Sequence, residues 1–276
     1  MLKKFVKMHG AGNDYIYFDC FDGEPENVSA LAVRLSDRHK GIGGDGLVLI
    51  CPSAAADAKM RMFNADGSEG KMCGNAIRCV GKYLYDSGIC RREELTVETL
   101  SGIKRLRLFP EGGKVKRVRV DMGRADLRPE SLPVLLEGEV IDRPVRIAGG
   151  EHRITCVSMG NPHCVLFEDP DTVDLEKVGP LFECDPLFPE RVNTEFIRVI
   201  GKNALKMRVW ERGSGETMAC GTGACASAVA AVACGLCGRG EDILVKLRGG
   251  DLTINVGDTV FMTGEAEEVF SGEVEI

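Results

Sequence analysis

The residues most suited to chemistry are two cysteines that occur in matching contexts. Cys73 follows an apolar segment and a polar loop and is followed by Gly-Asn, and Cys220 follows a similar segment and loop and is followed by Gly-Thr. Each cysteine precedes a stretch with helix-forming character, so each is predicted to lie at the start of a helix. A reaction that requires two opposed thiols would need this arrangement.

The start of a helix has chemical consequences for a thiol. The backbone N–H groups of the first turn lack intrahelical acceptors, and the positive end of the helix dipole lies there. We therefore expect the pKa of each cysteine to be lowered toward neutrality. A substrate carboxylate can bind to the same amides. The expected amide donors are those of Gly74, Asn75, Gly221 and Thr222.

The two cysteine contexts belong to a longer internal repeat. The segment that starts at Lys59 (KMRMFN) recurs in related form from Lys206 (KMRVWE). Further matches follow the same order at nearly the same offset: Asn13 with Asn161, Gly46 with Asn193, and residues 95–99 with 243–247. A period this long predicts two duplicated domains rather than a solenoid of short repeats.

The predicted fold class is α+β, with two pseudo-symmetric domains. The first comprises residues 1–121 and 266–276 and carries Cys73, and the second comprises residues 122–265 and carries Cys220. Each is expected to be a mainly β, barrel-like sheet wrapped around one central helix, because small residues on every face of 222–234 suit an enclosed helix. One predicted strand covers 134–141, and the predicted helices cover 29–38 with Ser29 as a possible N-cap, 75–86, 175–182 and 222–234.

Composition narrows the possible partners and compartment. The chain has 276 residues, enough for two ordinary domains, and a net charge of −7, which argues against nucleic acid and anionic membranes as partners. The N-terminus lacks the apolar region of a signal peptide, and no apolar stretch is long enough to span a bilayer. We therefore expect a cytoplasmic protein whose twelve cysteines are reduced.

Two motifs resemble sites for other chemistry but lack parts that those sites require. Cys234 and Cys237 form a lone C-x-x-C without the second pair that a zinc ribbon needs, so no metal is predicted. The glycine-dense loop 41–46 lacks both the P-loop ending and the Rossmann spacing. It is interpreted as a close approach of two backbone segments.

The motifs resemble the diaminopimelate epimerase family. The matching strings are MHGAGNDY at 8–15, FNADGSE at 63–69 with the Cys73 motif, GNPH at 160–163, and ERG at 211–213 with the Cys220 motif. The resemblance covers nearly the whole chain. It implies a cofactor-independent isomerase of the two-cysteine type, and a homodimer that binds diaminopimelate as its small-molecule substrate.

The resemblance also implies a role for each matched residue. One cysteine, as thiolate, removes the α-hydrogen of LL-2,6-diaminoheptanedioate while the opposite thiol delivers a proton, giving the meso form. Cys73 and Cys220 are the implied catalytic residues. His163 and Glu211 are implied to tune the thiol pKa values. The implied substrate-binding side chains are Asn13, Asn64, Asn161, Asn193, Glu211 and Arg212. Some relatives carry Gln at the position of Gly46, so a side-chain contact is expected to be missing there.

Other functions are compatible with some of these features. A racemase of another α-amino acid could use the same fold, although Glu211, Arg212 and the asparagine set suit a second zwitterionic end. A non-catalytic amino-acid-binding or metal-binding module would need only one of the two cysteines. A pyridoxal-phosphate racemase would show the visible absorption of a lysine Schiff base.

Overall fold

The computed structural model describes residues 2–276. Backbone contacts divide the chain into two compact units, unit 1 with Met1–Asp121 and Thr263–Ile276, and unit 2 with Met122–Met262. Among the helices of the described residues, none combines the length and apolar character that a membrane crossing requires.

Strands predominate in both units, and within residues 2–276 each unit has two α-helices. The elements in the first part of the chain are β1 (Leu2–Gly10), β2 (Asn13–Asp19), α1 (Val28–Ser36), β3 (Gly46–Cys51), β4 (Ala58–Asn64), β5 (Glu69–Gly70), α2 (Gly74–Asp86), β6 (Glu94–Thr99), β7 (Gly102–Glu111) and β8 (Lys114–Gly123). A 3-10 turn at Pro129–Ser131 follows. The remaining elements are β9 (Arg143–Ile147), β10 (Gly150–Ser158), β11 (Pro162–Leu166), α3 (Leu175–Glu183), β12 (Asn193–Gly201), β13 (Ala204–Glu211), β14 (Gly215–Glu216), α4 (Gly221–Ala233), β15 (Asp242–Leu247), β16 (Gly250–Val256), β17 (Val260–Glu265) and β18 (Glu267–Glu275).

The two units repeat one strand topology. In unit 1, β2 runs parallel to β3, β3 antiparallel to β4, and β4 parallel to β6. In unit 2, β11, β12, β13 and β15 repeat these pairings in the same order. The register also repeats, because Tyr15 lies opposite Gly46 in unit 1 and His163 lies opposite Asn193 in unit 2. The internal repeat of the sequence is therefore present in the backbone.

Each unit encloses one helix within its strands. Helix α2 contacts β1, β2, β6 and β7, and α4 contacts β10 to β13 with β15 and β16. Helix α4 fits this enclosure because it is built from small residues, and Ala224, Ala228 and Ala230 are fully buried. Helices α1 and α3 pack on their own units against separate apolar clusters. The predicted α+β fold with a central helix is confirmed.

Two local predictions are wrong. Helix α1 is capped by Asn27 in the left-handed region rather than by Ser29. The Ser29 hydroxyl instead donates to the carbonyl of Gly67 at 2.7 Å. Residues 134–141 form no strand, because this apolar segment supplies Val134 and Val140 to the buried cluster of unit 2 instead of pairing in a sheet.

Gly46 lies where two backbone segments come close together. A Cβ atom built on Gly46 would lie 2.0 Å from the carbonyl oxygen of Phe63 and 2.7 Å from a ring carbon of Tyr15. Any larger residue would therefore displace β4, which pairs with β3 at this point. The close approach predicted for the glycine loop is confirmed here, and the space that a glutamine would need is absent.

We predict that Gly46→Ala destabilises the protein. The added methyl group meets backbone rather than a flexible side chain, so we expect a loss of at least about 2 kcal/mol of unfolding free energy, measured by urea denaturation. Gly201→Ala is the matched control, because its Cβ would lie 3.7 Å from the nearest side-chain atom. Equal stability of the two variants would show that the close approach at Gly46 has no energetic consequence.

Candidate functional site

Cys73 is the N-cap of α2 in unit 1. Its backbone is extended, with φ −131° and ψ 120°, and its sulfur accepts the amide of Ala76 at 3.5 Å. The thiol also donates to Oδ1 of Asn13 at 3.3 Å. The two residues are distant in sequence, so the structure brings together two of the predicted site residues.

The side-chain amide of Asn13 has a second partner, the carboxylate of Asp45, a residue that is not among the predicted site residues. Asn13 Nδ2 donates to Asp45 Oδ2 at 2.7 Å, and the same oxygen accepts the backbone amide of Asp14 at 3.1 Å. Arg38 donates to the other oxygen of Asp45 at 3.0 Å. The carboxylate therefore accepts hydrogen bonds on both oxygens.

Asp14 forms ion pairs with two cationic side chains, those of Lys7 and Arg38. Its carboxylate is 2.6 Å from the buried Nζ of Lys7 and accepts two hydrogen bonds from Arg38. Burial alone would raise the pKa of Asp14, but Arg38 and Lys7 hold it below its usual value. Burial raises the pKa of Asp45, and the negative charge of Asp14 acts in the same direction.

The other predicted residues of unit 1 occupy two places. The side-chain Nδ2 of Asn64 donates to Ser68 Oγ at 3.0 Å, and the backbone N–H of Asn64 donates to the Ser68 carbonyl. Asn64 therefore holds the turn that follows β4. Gly74 and Asn75 are buried in the first turn of α2, directly after Cys73. Their position suits the predicted role of helix-start amides in carboxylate binding.

Cys220 is the N-cap of α4 in unit 2 and repeats the backbone of Cys73. Its φ is −113° and its ψ is 112°, and its sulfur accepts the amide of Gly223 at 3.3 Å. The hydroxyl of Thr222 lies 3.5 Å from the sulfur. Gly221 and Thr222 form the first turn of this helix, whose amides lack intrahelical acceptors.

A chain of hydrogen bonds leads from Thr222 into the interior of unit 2. Asn161 Nδ2 donates to Thr222 Oγ1 at 3.3 Å, and its Oδ1 lies 3.1 Å from His163 Nε2. On the other side of the ring, His163 Nδ1 lies 2.6 Å from Glu195 Oε1. The side chains of His163 and Glu195 are fully buried. The structure therefore connects predicted residues Asn161 and His163 to Cys220 through Thr222.

Glu211 is the carboxylate that most affects the thiol of Cys220. Burial raises the pKa of Glu211, and hydrogen bonds from Thr217 and Cys220 oppose the rise. Burial raises the pKa of Cys220 well above its usual value, and the charges of Glu211 and Glu195 raise it further. The lowered pKa predicted from the helix start is therefore wrong for Cys220, because desolvation and two carboxylates outweigh the amide of Gly223 and the hydroxyl of Thr222.

Asn193 and Arg212 are brought together at the end of β13. The Asn193 side chain donates to the carbonyl of Pro162 at 2.8 Å and accepts the backbone amide of Arg212 at 2.9 Å. Arg212 also donates to the carbonyl of Glu190 at 3.0 Å, and its side chain is exposed. Asn193 is thus a holder of the Arg212 backbone as well as a candidate for substrate contact.

The residues that sequence reasoning missed are Asp45, Glu195 and Thr217. The first two carry a signal in the sequence. Asp45 is the one charged residue of the glycine-dense loop 41–46, and Glu195 is a carboxylate directly before the apolar pair Phe-Ile of its strand. A charge in such surroundings indicates a specific partner, because burial of an unpaired charge is costly. Thr217 carries no comparable signal.

No cluster of three or more histidine, cysteine, aspartate or glutamate side chains that could hold a metal ion occurs within residues 2–276. The twelve cysteines, which all lie within residues 2–276, form no disulfide bond with one another. Cys20, Cys51, Cys79, Cys156, Cys164 and Cys225 are buried.

Known proteins resemble the chain along nearly its full length. The sequence profile of the family described as "Diaminopimelate epimerase" matches residues 5–128 and 155–269. The chain belongs to the diaminopimelate epimerase family. A diaminopimelate epimerase of Acetivibrio thermocellus is 56% identical over 99% of both chains. One from Methanococcus maripaludis is 54% identical over 99% of this chain and 100% of that protein.

Solved structures show the same fold at lower sequence identity. A hydroxyproline epimerase from Agrobacterium vitis has a TM-score of 0.70 at 17% identity, over 99% of this chain and 92% of that one. A phenazine biosynthesis protein of the PhzF family from Bacillus anthracis has a TM-score of 0.69 at 16% identity, over the full length of both chains. As a member of the diaminopimelate epimerase family, the chain is an isomerase of lysine biosynthesis.

We predict that Glu211→Gln accelerates alkylation of Cys220. The substitution removes a negative charge that raises the pKa of the thiol, so more thiolate is present at a given pH. We expect a roughly tenfold faster reaction with iodoacetamide at pH 8, since one pKa unit changes the thiolate fraction about tenfold. The rate is measured on the Cys220 peptide by mass spectrometry.

Cys237 is an internal control for this measurement, because burial and Glu241 raise its pKa and Glu211 is not among the causes. Its alkylation rate should be the same in both proteins. An unchanged rate at Cys220 would contradict the tuning role of Glu211.

Proposed function

We propose that the chain interconverts LL- and meso-2,6-diaminoheptanedioate, and that Cys73 and Cys220 are the two groups that transfer the α-proton. One cysteine removes the proton from one face of the α-carbon, and the other supplies a proton to the opposite face. Two groups on opposite faces invert the centre without carrying one proton around the carbon. The proposed substrate is a small zwitterionic molecule.

The observation that carries this proposal is the repeated placement of the two cysteines. Each is the N-cap of the enclosed helix of its own unit, with an extended backbone and a sulfur that accepts an amide of the first turn. This placement supports proton transfer beside amides that can bind a carboxylate. The substrate identity is supported by relatives of 51–56% identity that are named diaminopimelate epimerases.

Helix-start amides are proposed to stabilise the charge that develops during proton removal. When the α-proton leaves, negative charge spreads from the α-carbon into the adjacent carboxylate. Amides that already point at this carboxylate stabilise the charge without reorganisation. The proposed donors are Gly74, Asn75, Gly221 and Thr222.

The distal end of the substrate is proposed to bind the remaining polar groups. Arg212 has an exposed guanidinium and a backbone held by Asn193, so it is suited to bidentate carboxylate binding. Glu211 is proposed to accept a hydrogen bond from the ammonium group. The other proposed contacts are from Asn13, Asn64, Asn161 and Asn193. The homodimer and the cytoplasmic location stay predictions from the sequence.

We predict that Cys73→Ser and Cys220→Ser each reduce epimerisation at least 100-fold. A hydroxyl is a much weaker acid than a thiol, and loss of positioned acid–base catalysis typically costs a factor of about 10²–10⁴. The assay incubates LL-diaminopimelate with purified protein in D2O and follows both product stereochemistry and α-deuterium incorporation.

The matched control is Cys184→Ser, since this cysteine is exposed and carries no proposed role. It should keep wild-type activity. Failure of the wild-type protein to exchange the α-hydrogen would refute the proposed function. Near-normal activity of either catalytic variant would refute the two-thiol assignment alone.

Arg212→Lys is predicted to weaken substrate binding rather than folding. Lysine keeps the charge but loses the planar fork that binds both carboxylate oxygens. We expect KM to rise at least about tenfold while the melting temperature stays the same, because the side chain is exposed. Arg191→Lys, a nearby exposed arginine beside Glu183, is the control and should leave KM unchanged. An unaltered KM in the Arg212 variant would remove this residue from the binding site.

A further inference from the structure

Asn13 lies between a carboxylate and the thiol of Cys73. Its Nδ2 donates to Asp45 at 2.7 Å, and its Oδ1 accepts from Cys73 at 3.3 Å. An asparagine side chain has one donor end and one acceptor end, so these two contacts depend on each other. A group that fixes the amide nitrogen of Asn13 therefore also fixes which atom of Asn13 faces the sulfur of Cys73.

Asp45 determines which end of the amide faces the sulfur. An ionised carboxylate only accepts hydrogen bonds, so the amide nitrogen of Asn13 must point toward it. Asp45 is itself held by the backbone amide of Asp14 and by Arg38. The carboxylate of Asp45 therefore directs the amide oxygen of Asn13 at Cys73.

An amide oxygen next to a sulfur favours one protonation state. It accepts a hydrogen bond from a thiol but faces a thiolate with its negative end, and a hydrogen bond to the neutral form disfavours the charged form. Two of the ionisable groups near Cys73 are neutral at working pH, since burial raises the pKa of Cys79 to about 11 and that of Tyr17 well above its usual value. The buried Arg78 is a cation, and it donates to the carbonyl of Gly74 at 3.1 Å. The orientation of Asn13 therefore favours the thiol and opposes the Ala76 amide and the Arg78 cation, which favour the thiolate.

The corresponding asparagine of unit 2 is oriented differently. Asn161 directs its oxygen to His163 and its nitrogen to Thr222, the residue beside Cys220. Thr222 Oγ1 accepts that hydrogen bond, so its own proton can be donated to the sulfur of Cys220. The repeated asparagines thus present opposite ends toward their cysteines, because their orienting partners are a carboxylate in one unit and an imidazole in the other.

We propose that Asp45 is a positioning residue that, through Asn13, holds Cys73 as the proton-bearing thiol of the resting enzyme. This inference rests on the proposed function, in which one cysteine must begin the cycle with its proton. Asp45 acts through Asn13, whose amide it orients.

The decisive experiment compares Asp45→Ala with Asp45→Asn. Alanine removes the acceptor, so Asn13 can turn its nitrogen toward the sulfur and stabilise a thiolate. We expect Cys73 to react with iodoacetamide roughly tenfold faster at pH 7 in Asp45→Ala, since one pKa unit changes the thiolate fraction by that factor. Asparagine keeps an oxygen acceptor, so its Cys73 rate should stay within about threefold of wild type. Both rates are read on the Cys73 peptide.

Arg38→Ala is the matched control for the ion-pair network. It removes the cation shared by Asp14 and Asp45 but leaves the hydrogen bond from Asn13 to Asp45. Because the backbone amide of Asp14 still holds Asp45, the Cys73 rate and kcat of this variant should change much less than those of Asp45→Ala. In Asp45→Ala we expect kcat to fall at least tenfold and KM to rise as well, because the reoriented Asn13 is also a proposed substrate contact; loss of folded protein alone would lower the apparent kcat without changing KM.

Asn13→Ala provides a test should Asp45→Ala fail to fold. It removes the oxygen acceptor directly and should raise the Cys73 rate as Asp45→Ala does, and the double variant should react no faster than either single variant. Equal Cys73 rates in wild type, Asp45→Ala and Asn13→Ala would overturn the proposal. Alkylation does not depend on turnover, so this outcome is distinct from an absence of epimerase activity, which would refute the proposed function instead.

Discussion

Enclosure of one helix within the strands of each unit is the constraint on which the rest of the structure depends. A helix surrounded by sheet cannot fray at its buried end without exposing apolar surface, so its first turn has a fixed position. The N-cap residues, Cys73 and Cys220, inherit that position together with their extended backbone. Small side chains make the enclosure possible in α4, where Ala224 and Ala228 leave room for strands on several sides. Packing therefore determines where each sulfur lies before any polar contact is made.

Polar contacts then make the two equivalent positions chemically different. The repeated register places Asn13 and Asn161 at corresponding points of the two units, yet one is oriented by Asp45 and the other by His163. Duplication conserves the backbone at these points, while the side chains behind them have diverged. A reaction in which one group gives a proton and the other takes one needs such a difference, because two identical surroundings would favour the same protonation state at both sulfurs. The opposite orientations of Asn13 and Asn161 supply such a difference, while Glu211 and Glu195 raise the pKa of Cys220.

The sequence revealed the features that depend on local spacing or on repetition. Helix periodicity located α2 and α4 to within a residue or two, and the recurring motifs identified both cysteines. Features that depend on pairing between distant segments were not accessible. The sequence predicts a strand over residues 134–141, because periodicity does not distinguish pairing in a sheet from packing on a core. The His163–Glu195 contact arises from the parallel pairing of β11 and β12, which no local pattern encodes.

The pKa of Cys220 illustrates why the chemistry of a site is harder to predict than its position. The amides at a helix start favour a thiolate, and their position directly after each cysteine follows from the sequence. Their effect is limited to the first turn, whereas burial and the charges of Glu211 and Glu195 act on the same sulfur in the opposite direction. The balance depends on how deeply the sulfur is buried and on which carboxylates surround it. A substrate ammonium beside Glu211 would neutralise one of these charges and so lower the pKa of Cys220. The substrate itself would then favour the thiolate that removes its α-proton. In the proposed reaction this links binding of the correct substrate to activation of the thiol.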